Sequence, residues 1–562
     1  MNQPTPAIVT QGAVRRLPRL ALLLFCAAYV LPGFIGREPW KNADIMAFGY
    51  MYELALGDAQ WLNPDLLGQP PEFDALLPYW LGAWAMRIAP AWLTADFAAR
   101  IPFIALLVLT LLATWYGVYF LARTPGAQPV PFAFGGEAHP TDYARAMADG
   151  GLLALIACLG LAQLSHETTP ALAQLGFTAL TFYGLAALPY RMTVPTLALG
   201  AGLAGLGLSG APAMASLFAL GGAVLHFAGA PQDAATDTRG SRGAALIVAV
   251  GLAAGVVAAA FDMWEWRLTP GPFAATRDWP SIGRLLAWFT WPAWPLALWT
   301  VWRWRRQLGQ RHVALPLWFA VVGILTSVLA PNPDRALLLS LPAMATLAAF
   351  ALPTFKRSVS ALIDWFTLLF FSGCALVIWV IWISLQTGVP PKPAANVARL
   401  APGFVPSFSL LPFVVALAAT LAWIALVRWR TARSREAIWK SLVLPAGGSA
   451  LGWLLVMTLW LPVLDYARSY APLVERVRAR MDAPGCVEVF GLTRAQVAAL
   501  RYHGKLDLHM AAAPSACPWL IASEELQASV PMAFAPARWK LVASIPRPTD
   551  TRENVLLYKQ VP

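Results

Sequence analysis

The best candidates for chemistry in this chain lie in residues 37–98, between the first two of its hydrophobic segments. This stretch brings acidic, basic and aromatic side chains together in a sequence of 562 residues of which only 12% are charged. A carboxylate can take a proton from a hydroxyl group, and basic side chains can bind a phosphate group. The candidate residues in this stretch are Arg37, Lys41, Asp44, Glu72, Asp74 and Tyr79. Because charges are costly beside a membrane without a partner, the stretch predicts a functional site.

The rest of the chain is predominantly apolar. Hydrophobic residues make up 58% of the sequence, which is more than soluble proteins of this size contain. Apolar runs recur that are about as long as the 17–25 residues a helix needs to cross a bilayer. The sequence predicts thirteen membrane-spanning helices, at about 20–36, 101–122, 149–164, 170–188, 192–210, 213–229, 244–262, 284–302, 313–330, 335–353, 359–385, 408–427 and 441–463.

The basic residues predict the orientation of the chain in the membrane. They concentrate in alternate loops, for example at Arg303 and Arg305, which the positive-inside rule places in the cytoplasm together with the N-terminus. Segment 20–36 resembles a signal peptide, but a retained helix is favoured because its removal would disturb this alternation. Residues 37–98 and 464–562 are then predicted to lie on the outer side. The net charge of +12 and the 26 Trp residues fit contacts with lipid headgroups, so no nucleic-acid partner is predicted.

Two domains are predicted. Residues 1–463 form the membrane domain, which includes the first outer loop, and residues 464–562 form a small α/β domain. The tail combines short apolar runs typical of strands with a helical pattern near 493–502. Its strand-like runs are Val487–Phe490, Trp519–Ala522, Trp539–Ala543 and Val555–Tyr558. In the first loop, residues 43–57 and 76–88 mix aromatic and polar residues as helices on a membrane surface do.

The spacing of cysteine, histidine and acidic residues limits covalent and metal chemistry. Cys486 and Cys517 are the two cysteines of the tail, and outside the cytoplasm they can form a disulfide; two free thiols are the alternative. His166 and Glu167 lack the second histidine of a metalloprotease motif and are interpreted as a polar turn between the third and fourth spans. Carboxylates of the first loop could hold a divalent metal ion, although no ligand spacing requires one.

Several short motifs in the first 102 residues are similar to those of a known family. They are Gly36-Arg37-Glu38-Pro39-Trp40-Lys41, Trp61-Leu62-Asn63-Pro64, Gly68-Gln69-Pro70, Pro78-Tyr79-Trp80 and Ala99-Arg100-Ile101-Pro102. They resemble the start of the bacterial GT-C polyprenyl-phosphate-dependent glycosyltransferases, which include glycosyltransferase family 39 and the aminoarabinose transferase of lipid A. The number of spans and the C-terminal domain resemble the lipid A enzyme as well.

The resemblance implies a fold, a location and a reaction. The fold is an all-α polytopic membrane domain of GT-C type with a small periplasmic α/β domain, in the bacterial inner membrane with the N-terminus in the cytoplasm. The reaction is the transfer of a sugar, with inversion, from an undecaprenyl-phosphate-linked donor to a periplasmic acceptor. Lipid A, another glycolipid, a glycan or a protein could each be this acceptor.

Asp44 is the candidate general base that the resemblance implies. The family usually carries two consecutive acids after the Trp-Lys element, whereas this chain has Ala43 at the first position and Asp44 at the second. The alternative role of Asp44 is to cap the helix that follows, and one residue could do both.

The resemblance also implies basic groups that bind the phosphate of the donor. The lysine that the family places before the Tyr-Trp pair is missing, although Glu72 or Asp74 could supply the acid beside it. Arg335 follows Pro331-Asn332-Pro333-Asp334 at a predicted outer helix start, where the family has a basic residue; its alternative role is an ion pair with Asp334. Further candidates for binding the substrate are Arg37, Lys41, Arg100 and Tyr79.

Two classes of function compete. The first is the transferase, and the second is a non-catalytic binder or transporter of polyprenyl-linked glycans on the same scaffold, which the departures from the family motifs favour. The predicted spans carry almost no charge at mid-depth, since Asp262 and Asp364 lie near span ends. Ion-coupled transporters keep ionisable groups near the middle of the bilayer, so an ion-coupled transporter is not predicted.

Overall fold

A computed structural model describes most of the chain and confirms the predicted fold class, a polytopic helical protein with a small C-terminal sheet. The described residues are 5–72, 74–228, 234–264, 279–330, 332–431, 437–482, 485–512, 517–526 and 539–561, apart from the side chains of 234–239, 431 and 551–552. Pro331, which begins the segment before Arg335, and the last residue of the predicted span 213–229 lie outside them.

Helices account for most of the described residues. In chain order they are α1 (Arg19–Val30), α2 (Ala43–Leu56), α3 (Leu77–Ile88), α4 (Ala95–Ala122), α5 (Pro140–Ala157), α6 (Leu161–Leu164), α7 (Pro170–Ala187), α8 (Thr193–Leu208), α9 (Pro212–Ala228), α10 (Ala234–Ala260), α11 (Trp279–Phe289), α12 (Ala293–Arg303), α13 (Arg311–Leu329), α14 (Pro333–Leu338), α15 (Leu341–Ala351), α16 (Arg357–Thr387), α17 (Pro391–Leu400), α18 (Leu410–Thr431), α19 (Val443–Leu459), α20 (Leu461–Arg468), α21 (Ala471–Arg478) and α22 (Arg494–Tyr502).

Each of the thirteen predicted spans coincides with at least one of these helices. Within the described part of the chain, six helices are by themselves long and apolar enough to cross a membrane, namely Ala95–Ala122, Gly240–Ala260, Arg311–Leu329, Arg357–Thr387, Leu410–Arg430 and Ile438–Leu459. Shorter apolar helices are Arg19–Val30, Thr193–Leu208, Pro212–Ala228 and Leu341–Thr354. The predicted spans 284–302 and 335–353 each consist of two helices. A proline lies at or near the start of the second helix in both, where its missing N–H is tolerated.

The chain divides into two compact units. The first, called the helical unit, consists of Met1–Phe34, Phe103–Leu376 and Val414–Leu455. The second, called the loop–tail unit, consists of Ile35–Pro102, Val377–Phe413 and Val456–Pro562. The first outer loop and the C-terminal tail, which the sequence predicts on the same side of the membrane, therefore belong to one unit.

The tail folds around a sheet whose described strands are β1 (Cys486–Phe490), β2 (Asp507–Met510), β3 (Trp519–Ser523), β4 (Trp539–Arg547) and β5 (Asp550–Gln560). Their order is β2-β1-β3-β5-β4, with β1 parallel to both neighbours and β5 antiparallel to both of its neighbours. Four of the five strands match the predicted runs. Strand β2 was not predicted because Asp507 and His509 interrupt its apolar pattern. Helix α22 joins β1 to β2 and begins with a capping box between Thr493 and Gln496.

Cys486 and Cys517 form a disulfide at the start of the sheet. The bond joins residues 31 positions apart, with Cα atoms 5.2 Å from each other, so it restricts the unfolded tail.

Replacing both cysteines with serine is expected to lower the free energy of unfolding of the tail by about 2–4 kcal/mol, because the closed loop no longer limits the unfolded chain. Limited proteolysis of the tail in urea measures this change. Cys374, a free cysteine on α16, is the matched control, and Cys374→Ser should leave the proteolysis midpoint as it is. Equal midpoints for the double variant and the wild type would contradict the prediction.

Helices α2 and α22 pack closely within the loop–tail unit. A methyl group added at Gly49 of α2 would lie 2.6 Å from the Cβ atom of Ala498 of α22, which is too close for two carbon atoms. Glycine at this position lets the first loop and the tail approach each other, so α2 has its place set by the tail as well as by its own sequence.

Gly49→Ala is expected to destabilise the loop–tail unit by about 1–3 kcal/mol, because the backbones of α2 and α22 must move apart. Gly373→Ala provides the control, since a Cβ atom at Gly373 on α16 meets nothing within 4 Å. The urea midpoint of tail proteolysis should fall for the first variant only. A midpoint that stays constant in both variants would show that α2 and α22 separate at no cost.

Candidate functional site

Asp44 lies in the first turn of α2 and forms a buried ion pair with Arg37. The carboxylate Oδ2 is 2.8 Å from Nη2 of Arg37, and each side chain has only 1% of its surface exposed. The same oxygen accepts a hydrogen bond of 3.1 Å from the backbone N–H of Trp40. The N-cap residue, Asn42, forms no capping side-chain hydrogen bond. Asp44 instead joins the preceding loop to the helix through its contacts with Arg37 and Trp40. The positive end of the α2 dipole also stabilises its charge.

Asp465 contacts the same loop from α20. Its Oδ1 atom accepts hydrogen bonds from Nε1 of Trp40, at 2.6 Å, and from the backbone N–H of Glu38, at 3.3 Å. Burial raises the pKa of Asp465 to about 7. Sequence reasoning did not select Asp465, although an acid directly after the last apolar segment, in Leu461–Asp465, was a visible signal.

Glu38 is the most accessible acid of this group. Its side chain is 42% exposed, and Oε2 lies 3.4 Å from Nε2 of His503 and accepts a 3.4 Å hydrogen bond from Ser469. Partial burial, followed by the charge of Asp96, raises the pKa of Glu38. Burial lowers the pKa of His503 to about 4, so this imidazole is neutral near neutral pH. Neither Glu38 nor His503 was selected from the sequence.

Arg100 is part of the same buried network. Its Nη1 atom is 3.2 Å from Oδ2 of Asp96 one turn earlier on α4, and Asp96 also accepts a 3.1 Å hydrogen bond from the hydroxyl group of Tyr502. The charges of Asp44 and Asp465 also act on Arg100. With only 2% of its side chain exposed, Arg100 belongs to the interior of the loop–tail unit.

Lys41 links the first loop to the sheet. Its Nζ atom lies 2.8 Å from Oδ2 of Asp550 and 3.6 Å from Oε1 of Glu553, both on β5. The next residue, Asn42, accepts a 3.0 Å hydrogen bond from the hydroxyl group of Tyr470. Lys41 is thus paired with acids of the tail, and phosphate binding by Lys41 would have to replace these contacts.

The second part of the predicted site lies around Tyr79. This side chain is buried, with its ring 5.4 Å from that of Tyr50. Burial raises the pKa of Tyr79, with further contributions from Tyr50, Asp74 and Glu72, which therefore lie near it.

Arg494 of the tail brings a positive charge to the segment around Pro70 and Tyr50. The Nε atom of Arg494, on α22, donates a 2.9 Å hydrogen bond to the carbonyl of Pro70, and its charge acts on Tyr50. The lysine that the family would supply nearby is absent from the first loop, and sequence reasoning found no local substitute. Only the folding of the tail brings Arg494 to this segment.

Arg335 lies in the helical unit, and its partner differs from the one considered in the sequence. Its Nη2 atom is 2.7 Å from Oε2 of Glu167, and Nη1 donates a 3.3 Å hydrogen bond to Oγ1 of Thr169. The ion pair is therefore with Glu167 and not with Asp334. The Arg335 side chain remains 19% exposed, whereas Glu167 is only 3% exposed.

The turn that holds Glu167 is buried throughout. Residues 165–169 connect α6 to α7, and all five are polar and buried. His166 fixes this turn, since its Nε2 atom contacts the carbonyl of Tyr29 at 3.1 Å and its ring lies 4.9 Å from that of Phe34 and 4.8 Å from that of Trp453. The dipeptide does form a turn, as predicted, but its burial shows a role in holding Arg335 that the sequence did not reveal.

No metal centre is found among the described residues, where no three His, Cys, Asp or Glu side chains form a cluster that could hold an ion. The predicted site residues instead form ion pairs and hydrogen bonds. In the loop–tail unit the ion pairs involve Arg37, Lys41, Asp44 and Arg100, while Tyr79 contacts the ring of Tyr50 and lies near Glu72 and Asp74; in the helical unit the ion pair is that of Arg335.

The fold is that of a solved membrane protein. The chain superimposes on the crystal structure of ArnT from Cupriavidus metallidurans bound to undecaprenyl phosphate, with a TM-score of 0.60, 13% sequence identity and coverage of 96% of this chain and 98% of that one. The apo structure of the same protein matches with a TM-score of 0.59 and 14% identity, with the same coverage. No protein-family model and no curated protein matches the chain. The likeness confirms the GT-C fold predicted from the motifs, and at this identity it establishes the fold alone.

Proposed function

We propose that this protein is an integral inner-membrane glycosyltransferase that moves a sugar, with inversion, from an undecaprenyl-phosphate-linked donor to a periplasmic acceptor. The observation that carries the proposal is the Asp44–Arg37 pair at the start of the first loop, on a fold shared with a protein solved with undecaprenyl phosphate bound. A carboxylate at this position is what the reaction requires, because the acceptor hydroxyl must lose a proton as it attacks the sugar.

Asp44 has the role of general base. Arg37 stabilises the ionised carboxylate, which is the form that can accept a proton. Trp40 orients it through a backbone hydrogen bond. Because the side chain is buried, the acceptor must displace part of the present packing to reach it. Glu38, which follows Arg37 in the chain and is 42% exposed, is more accessible than Asp44.

Arg335 has the role of binding the donor phosphate. A guanidinium group offers several N–H donors and forms strong charge-assisted bonds with phosphate oxygens. The contacts with Glu167 and Thr169 hold the Arg335 side chain in place, and 19% of this side chain remains exposed. Arg494, Arg100 and Lys41 are further basic candidates for phosphate contacts, each already held by contacts within the loop–tail unit.

The proposed orientation places the N-terminus in the cytoplasm and the tail in the periplasm. Pairing within the helical unit supports the alternation of loops on which this orientation rests, since Glu167 and Arg335 join two loops that are predicted on the same, outer side. Asp364 and Arg430 likewise join two segments predicted on the inner side, 2.6 Å apart. The disulfide of the tail is consistent with an oxidising compartment.

A non-catalytic role in binding polyprenyl-linked glycans is the second candidate. The observation that favours it is the burial of Asp44, because a carboxylate with 1% of its surface exposed cannot meet an acceptor without local movement. Such a protein would bind undecaprenyl phosphate and leave the donor pool unchanged.

Mass spectrometry of lipid A, envelope glycans and the polyprenyl-phosphate-sugar pool tests the proposal. Strains that lack the gene, and deletion strains complemented with it, are compared. The expected result is that deletion removes one sugar from one acceptor and causes its lipid-linked donor to accumulate, and that complementation reverses both changes. Unchanged acceptors and donors after deletion would reject the transferase, and binding of undecaprenyl phosphate by the purified protein would then favour the second candidate.

A further inference from the structure

We propose that Asp465 is a positioning residue of the transfer site: by holding Trp40 it sets the geometry of the Arg37–Asp44 pair. The inference rests on the proposed function for its catalytic consequence. Asp465 does not touch the reacting atoms in this proposal. It acts through Trp40 from the segment that follows the last membrane span.

Asp465 holds the first loop through two hydrogen bonds. One carboxylate oxygen, Oδ1, accepts both the indole N–H of Trp40, at 2.6 Å, and the backbone N–H of Glu38, at 3.3 Å. Two donors on one carboxylate oxygen fix the loop both through a side chain and through the backbone. The loop is also held by the backbone, since the N–H of Lys41 donates to the carbonyl of Arg468 at 2.9 Å.

Trp40 connects Asp465 to the ion pair. The backbone N–H of Trp40 donates to Asp44, and the guanidinium carbon of Arg37 lies 4.7 Å from the centre of the Trp40 ring. Trp40 therefore contacts both partners of the buried pair. Arg468 lies 5.1 Å from the same ring, so two cations contact one indole. A shift of the indole would change the position of Arg37 and the hydrogen bond to Asp44 together.

The charge of Asp465 affects how strongly this residue holds Trp40. The charged groups that face it are Arg37 and Glu38 from the first loop and Arg100 from α4, while Arg468 lies on its own helix. The ionised carboxylate forms stronger hydrogen bonds with N–H groups than the protonated one does. Because burial raises the pKa of Asp465 to about 7, the group is ionised above this pH and becomes protonated as the pH falls through it. As Asp465 becomes protonated, its hydrogen bond with Trp40 should weaken, so kcat should decrease as the pH falls below about 7.

The test uses the full-length protein in lipid nanodiscs. Wild type, Asp465→Ala, Asp465→Asn and Trp40→Phe are compared for kcat and for the KM of an undecaprenyl-phosphate sugar between pH 5.5 and 9. Hydrogen–deuterium exchange of the peptide that covers residues 38–48 is measured in the same samples. Asp482→Asn is the matched control, because Asp482 is an exposed acid of the same unit that pairs with Lys559 at the surface.

The alanine variant should lower kcat by about tenfold to a hundredfold with little change in KM, as misplacement of a catalytic group does. It should also speed exchange in residues 38–48. The asparagine variant keeps an oxygen acceptor, so it should retain most of the activity at pH 8. Because asparagine does not titrate, the kcat of this variant should stay constant where the wild-type kcat decreases near pH 7. Trp40→Phe should resemble the alanine variant in kcat, since it lacks the indole N–H.

Three outcomes separate the two proposals. If Asp465→Ala has the same kcat and the same exchange rate as the wild type, the positioning role is overturned. Transfer by the wild type would still uphold the proposed function. A decrease in kcat near pH 7 that persists in Asp465→Asn would overturn the assignment of this decrease to Asp465. If the wild type transfers no sugar, the proposed function fails, and the exchange data still decide whether Asp465 holds the loop.

Discussion

Asp44→Asn is expected to lower kcat by about 10²- to 10⁴-fold, which is the usual contribution of a general base. Asparagine has nearly the same shape as aspartate but cannot accept the proton of the acceptor hydroxyl. The KM of the donor should change little, because the proposed phosphate ligand, Arg335, is not altered. Transfer to the acceptor is measured with purified protein and a polyprenyl-phosphate sugar.

The variant also removes the carboxylate charge that lies 2.8 Å from the buried guanidinium group of Arg37. Breaking a buried ion pair by removing one partner costs about 3–5 kcal/mol, so stability must be measured together with activity. Arg37→Gln combined with Asp44→Asn removes both charges and should recover part of the stability without recovering transfer. This result would show that the loss of activity comes from the missing base rather than from unfolding.

Asp58→Asn is the matched control in the same loop. Asp58 pairs with Arg501 at 2.6 Å, but 49% of its side chain is exposed, so its loss should cost less than about 1 kcal/mol and leave kcat unchanged. Full transfer by a folded Asp44→Asn protein would remove Asp44 from the mechanism. In that case Glu38, the accessible acid next to Arg37, would become the candidate base.

Arg335→Gln is expected to lower kcat/KM for the donor by about 10- to 100-fold, which corresponds to the roughly 1.5–3 kcal/mol of a hydrogen bond to a charged group. Most of the change should appear in KM, because the phosphate is bound in the ground state as well as in the transition state. Arg335→Lys should give an intermediate value, since lysine keeps the charge but loses the planar arrangement of donors.

Glu167→Gln separates phosphate binding from the structural role of the ion pair. If Arg335 served only to neutralise Glu167, both variants would lower stability and neither would change KM in a folded protein. If Arg335 binds phosphate, Glu167→Gln should keep or lower KM, because the competing carboxylate charge is gone. Arg430→Gln, which breaks the ion pair with Asp364 in the same unit, is the control that should not change KM. Equal KM values for Arg335→Gln and Arg430→Gln would reject the phosphate role.

Much of the fold could be predicted from the sequence because the relevant forces are local or depend on composition. Apolar runs of sufficient length must become helices in a membrane, since every backbone N–H and C=O needs a partner there. Four of the five described strands and helix α22 followed from short-range patterns in the tail. Strand β2 was missed because it is stabilised by pairing with β1 rather than by its own apolar pattern.

The candidate site could be predicted in part. Asp44 and Arg37 are seven residues apart and lie on either side of a helix start, so their proximity follows from the sequence once α2 is predicted. The partner of Arg335 could not be predicted in the same way. Glu167 lies 168 positions earlier in the chain, and the sequence offered the adjacent Asp334 as the simpler partner.

The sequence by itself therefore determined the class of protein, the helices, the tail and the loop that carries Asp44, because hydrophobic length and local spacing are sufficient for these features. Only the tertiary structure decided which partners the charged residues find in distant parts of the chain. Asp465 reaches Trp40 from 425 positions away, and Arg494 reaches Pro70 from 424 positions away. A buried charge takes whichever partner the packed helices bring to it, and packing depends on the whole chain rather than on the spacing of residues along it.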